Sequence, residues 1–119
     1  AYTFPMKAVL VELPPFQRLR ESYLDDEGYR SLQTILLENP EAGDVVPGAG
    51  GLRKLRFGDE RRGKGKRGGL RVIYYWWSSG PEFWLFTLYD KDEAADLTTA
   101  EKKAVRDLIK AELAMRRTT

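Results

Sequence analysis

Lys54 and Arg56 stand two residues apart in LRKLRF (52–57), and Arg71 enters the apolar run GLRVIYYWW (69–77). In extended backbone successive side chains point to opposite faces, so Lys54 and Arg56 share a face while Leu55 and Phe57 take the other. By the same rule Arg71, Ile73, Tyr75 and Trp77 share one face of the second run. Between the two runs lies GDERRGKGKRGG (58–69), which adds Arg61, Arg62, Lys64, Lys66 and Arg67. With Arg53 included, residues 53–71 hold nine cations and two acids, a net +7, against a formal total of +2. The rest of the chain is therefore acidic, at −5. Arginine forks and lysine point charges grouped this way suit the phosphates of a polyanion, and negative charge building on a phosphate in a transition state would gain most from them.

The same residues carry blander readings. A glycine-lysine-arginine loop is also a common solvated hairpin tip. GKGKRGG is not a P-loop, because the GxxxxGK[ST] spacing is missing and the glycines lead into a strand. Tyr74, Tyr75, Trp76 and Trp77 are readable as a base-stacking platform or as core, and Tyr89 as an acid/base group or as packing beneath a loop. The chain of 119 residues has neither histidine nor cysteine. Disulfides and thiolate metal sites are thereby excluded, and so are the usual general base and the commonest metal ligand. Catalysis would fall to lysines, arginines, tyrosines or carboxylates. No apolar run approaches the roughly 18 residues of a membrane helix, and no secretory signal is visible.

Elements that would position these groups follow from periodicity. KAVLVEL (7–13) reads as a strand closed by Pro14-Pro15. Phe16, Leu19, Tyr23 and Leu24 have helical spacing over 14–24. A second helix starts at Asp25 or Asp26 and carries Tyr29, Leu32, Gln33, Leu36 and Leu37 until Asn39-Pro40 ends it. EAGDVVPGAGG (41–51) reads as an irregular connection. EFWLFTLY (82–89) forms an antiparallel hairpin with 69–77 through the SSGP turn. A last helix is capped by Thr98 or Thr99, with Val105, Leu108, Ile109 and Leu113 as its apolar stripe. The expected class is α+β in the order βααβββα, with a mostly antiparallel sheet, two N-terminal helices and one C-terminal helix. A single domain is expected over 6–115, with 1–5 an extension or an expression remnant.

The series GDVVPGAGGLRKLRF, GKGKRGGLRVIYYWW and FWLFTLYDKDEAADLTTAEKKAV resembles the RelE superfamily of bacterial toxins, closest to its HigB-type branch. The resemblance covers about Met6 to Leu113, and it rests on the combination GGLRK, GKGKRGGxRxxYY and YxKxExxDL (Tyr89, Lys91, Glu93, Asp96, Leu97). It implies a ribosome-dependent mRNA endonuclease that acts in the ribosomal A site beside 16S rRNA, in the bacterial cytoplasm. The RNA's own 2′-hydroxyl would be the nucleophile, with no cofactor or metal, and a HigA-like helix-turn-helix antitoxin would be the partner. Carried onto this sequence, the catalytic set is Lys54, Arg56, Lys66, Arg71, Lys91 and Tyr89, with Arg71 at the scissile phosphate. Arg53, Arg61, Arg62, Lys64 and Arg67 would hold the RNA. Relatives carry a tyrosine or histidine toward the C-terminus as acid/base, whereas nothing beyond Tyr89 here is either. Two further readings remain at this stage: a ParE-like gyrase inhibitor of the same fold, and an inactive RNA-binding module.

Overall fold

The computed structural model describes residues 7–58, 69–91 and 97–117. Along the chain run β1 (Val9–Glu12), α1 (Pro14–Tyr23), α2 (Asp26–Glu38), β2 (Asp44–Val45), β3 (Arg53–Phe57), β4 (Leu70–Trp77), β5 (Glu82–Asp90) and α3 (Thr99–Arg117). The strands form one mixed sheet in the order β1-β5-β4-β3-β2, in which only β1 and β5 are parallel.

Local chemistry sets most boundaries. Pro14 stands in the first turn of α1, where a missing N–H costs nothing. The Asp25 carboxylate accepts from the Gly28 N–H at 2.7 Å and caps α2. Asn39 ends that helix in extended backbone ahead of Pro40. Of the apolar positions expected to face inward, Phe16, Leu32 and Leu36 are fully buried. Burying each contributes on the order of 1.5–3 kcal/mol. Leu19 and Leu108 instead lie 36% and 46% exposed, at the margins of stripes narrower than the spacing suggested.

Helices cover both faces of the sheet. On one, Phe16, Leu24, Leu32 and Leu36 pack on Leu55, Phe57, Val72, Tyr74, Phe83, Leu85 and Leu88. On the other, Ile109, with Val105 and Leu113 beside it, packs on Ile73, Trp84 and Phe86. The far end of α3 is held by Arg116, which donates to Glu82 and Glu112 at 3.0 Å and lies over the rings of Trp77 and Trp84. Glu82 has its carboxyl held below the usual range: burial pushes it up, but the hydrogen bonds from Trp84 and Arg116 outweigh that.

Two features depart from the expected order. Asp44 and Val45, inside the stretch read as irregular, pair with Lys54 and Arg53 as a two-residue edge strand. Such a strand is too short to show alternation. The second departure is a bulge in β5: Ile73 faces Thr87 while Tyr74 faces Leu85, so Phe86 has no opposite number. Strict alternation from Trp84 and Phe86 would put Leu88 on the α3 side and Tyr89 away from it. The extra residue reverses this, and Tyr89 belongs to the α3-side cluster while Leu88 lies in the other. None of the described helices is long and apolar enough to cross a membrane.

Candidate functional site

The registers place Arg56 opposite Arg71 and Arg71 opposite Tyr89. Opposed residues in a ladder project on the same face, so these three form one row across β3, β4 and β5 on the side covered by α3. One step along, Lys54 faces Ile73. Alternation paired Lys54 with Arg56 and left the place of Arg71 to the register, which sets it beside them, and the bulge brings Tyr89 to the group.

A cleft of about 250 Å³ opens over this part of the sheet. Lys54, Arg56, Ile73 and Tyr89 form its floor, Lys102 and Leu97 one side, and Asp44 to Pro47 the other. Among the described residues, three cations thus face one carboxylate and one phenol. Arg56 is exposed, whereas Arg71 retains only 7% of its surface and does not line the cleft. Its Nη1 donates to the carbonyls of Gly69 and Leu70 at 3.4 Å. Arg71 accordingly supplies positive potential from an enclosed position within the row, and among the described residues Arg56 is the guanidinium exposed to the cleft.

The walls are tied down. Thr98 and Glu101 form a reciprocal capping box: the Thr98 N–H donates to Glu101 Oε1 at 2.8 Å, and the Glu101 N–H to Thr98 Oγ1 at 3.1 Å. This fixes the first turn of α3, which carries Lys102 to the cleft. Opposite, the Val46 N–H donates to the Leu52 carbonyl at 2.8 Å and closes the loop after β2. Gly50, at φ +71°, lets that loop meet α3: a Cβ there would lie 3.2 Å from the Arg106 Cα. Arg106 in turn donates to the Gly48 carbonyl at 3.3 Å.

Beneath β2, the buried Tyr74 hydroxyl donates to the Pro40 carbonyl at 2.8 Å and accepts from the Gly43 N–H at 2.9 Å. Burial raises its pKa, more than the Gly43 hydrogen bond and the Arg53 charge lower it. Tyr74 is therefore a structural strut. Tyr75, Trp76 and Trp77 are half-buried and pack with Trp84 and Phe83, at ring separations of 4.9, 4.5 and 6.3 Å. The core reading of the aromatic run holds for Tyr74, while Tyr75, Trp76 and Trp77 pack against neighbours with part of each residue exposed.

Other expected residues lie elsewhere. Arg53 projects on the Tyr74 side and is engaged by the Gly43 carbonyl at 2.8 Å and the Glu41 carboxylate at 3.0 Å. Lys91 is exposed just beyond β5 and does not line the cleft. Arg61, Arg62, Lys64, Lys66 and Arg67, with Glu93 and Asp96, lie outside the described residues. Sequence reasoning passed over two cleft residues. Lys102 stands in phase with Val105 and Ile109, a cation at an inward helical position, and that was the available signal. Asp44 gave none, since its strand was invisible. No protein-family model matches the chain.

Proposed function

We propose that this chain is the toxin of a type II toxin–antitoxin system, a RelE-superfamily, HigB-like mRNA endonuclease acting on the translating ribosome. The observation that carries this reading is the row Arg56–Arg71–Tyr89, flanked by Lys54 and Lys102 around a cleft. Phosphodiester cleavage through the RNA's own 2′-hydroxyl needs little more than such a set. The 2′-oxygen bonds to phosphorus as the bond to the 5′-oxygen breaks, leaving a 2′,3′-cyclic phosphate and a 5′-hydroxyl. One proton must leave the 2′-oxygen and another must reach the 5′-oxygen. The Tyr89 hydroxyl and the cleft lysines are placed to move them. Arg56, Lys54 and Lys102, with the enclosed Arg71 beside Arg56, stabilise charge on the phosphoryl oxygens as it builds. Lys91, exposed just beyond β5, and Lys66 of the basic loop belong to the same proposal as further cations of the catalytic set. A HigA-like antitoxin is the proposed neutralising partner, in a bacterial cytoplasm.

The test is induced expression in bacteria followed by mapping of mRNA 5′ ends. We expect new ends within translated reading frames, missing from the same transcripts when their start codons are removed. Arg56→Ala and Tyr89→Phe should each suppress them while the proteins stay folded. Intact mRNA alongside failing DNA supercoiling would replace this reading with the gyrase-inhibitor one. Salt-sensitive RNA binding without cleavage would leave an inactive module.

A further inference from the structure

The cleft contains a group that a simple phosphate site would avoid. Asp44 lies on the outermost strand directly opposite Lys54, on the same face, and lines the cleft. Its side chain makes no hydrogen bond or ion pair with any described residue. A carboxylate there weakens the cleft's hold on phosphate, yet it brings a pair of acceptors to a lining that also holds Lys54, Arg56 and Lys102. Beside it stand Val46 and Pro47, with Leu97 across the cleft, apolar surface suited to the flat face of a base.

On the reading of this cleft as an RNA site, we propose that Asp44 determines base specificity. It accepts the N1–H and N2–H of a guanine seated against Val46 and Pro47, while the adjoining phosphate rests on Lys54, Arg56 and Lys102. Guanine alone among the four bases offers two parallel donors on its Watson–Crick edge, which match the two oxygens of a carboxylate as an arginine fork does. Adenine and cytosine set an acceptor beside their amino donor, and uracil flanks its single N–H with two carbonyls. Each would bring an oxygen or nitrogen lone pair against Asp44. A two-residue edge strand suits this role, since among the described residues no strand pairs with its outer side and the base edge can approach along it.

Titration of the purified full chain with 3′-GMP, 3′-AMP, 3′-CMP and 3′-UMP, followed calorimetrically, tests this. We expect 3′-GMP to bind about tenfold tighter than the other three, the discrimination of one good bidentate contact. Asp44→Asn should abolish that preference, because one acceptor becomes a donor, and Lys54→Ala should weaken all four alike. Asp44 is exposed and its ladder pairing uses backbone only, so the variant keeps its fold. Equal binding of the four nucleotides, or none, overturns the proposal. So does an Asp44→Asn protein that binds all four more tightly by one common factor, which would make Asp44 a mere screen on the cations. Cleaved transcripts without a guanine preference would sink this inference alone. A guanine preference beside intact mRNA would sink the endonuclease reading alone.

Discussion

Arg56 and Arg71 face each other across β3 and β4 although like charges directly opposite in a ladder destabilise it. A sheet built for stability alone would place an acid at one of the two positions. Burial separates their roles, because Arg56 is exposed and Arg71 is nearly enclosed. For Arg56→Ala we expect cleavage on ribosomes to fall on the order of 10²–10³-fold, the loss typical of one preorganised transition-state contact. Its urea midpoint should stay level or rise slightly, because a repulsion is removed. Arg71→Ala should lose both activity and stability, since it empties an enclosed position in the middle of the row. Parallel cleavage assays and urea titrations of the two variants check this contrast. Equal destabilisation by both would show that exposure does not divide their roles. The cationic face was legible from alternation in LRKLRF and GLRVIYYWW, because period-two projection is a property of any strand. The burial of Arg71 was not, since it depends on what lies over β4.

At the scale of elements, the cleft depends on α3 starting where it does. The Thr98–Glu101 box fixes that start, and Lys102 follows one residue later. Thr98→Ala should cost about 1 kcal/mol of stability. If the cap also positions Lys102, RNA affinity should fall several-fold, and Thr98→Ser should restore both. Chemical denaturation and an RNA-binding titration of the three proteins read the two effects separately. A stability loss with unchanged affinity would make the cap purely structural. The SSGP hairpin and caps at Thr98 or Thr99 and at Asp25 or Asp26 were readable, because each is encoded within a few residues, while the choice of Thr98 and Asp25 needed the hydrogen bonds. The two-residue β2 and the bulge at Phe86 were not readable, since both are set by neighbouring strands. The bulge mattered most, because it moves Tyr89 onto the cationic face.

Across the whole molecule, two phenols on the α1–α2 side tie separate layers together. Tyr29 of α2 donates to the Glu12 carboxylate of β1, with Arg20 of α1 4.7 Å from its ring centre. Tyr74 of β4 holds the segment from Pro40 to Gly43 that leads into β2. Both pKa values are raised, chiefly by burial and, for Tyr29, also by the hydrogen bond to Glu12. In the unfolded chain both phenols ionise near pH 10. In the folded chain they keep their protons beyond that, so their contribution is complete below about pH 10 and lost as pH rises through the higher folded values. The urea midpoint should therefore hold steady toward pH 9 and fall steeply above about 10, with tyrosinate absorbance appearing in step with unfolding. Tyr74→Phe leaves the Gly43 N–H and the Pro40 carbonyl without their partner and should cost about 1–3 kcal/mol at neutral pH. The same variant should show a shallower alkaline decline, because one of the two resistant phenols is gone. An unchanged decline would show that the Tyr74 phenol does not carry the alkaline sensitivity. Because the Gly43 segment also leads to Asp44, this variant should blunt nucleotide selectivity before it blunts phosphate binding, which the 3′-nucleotide titrations measure directly.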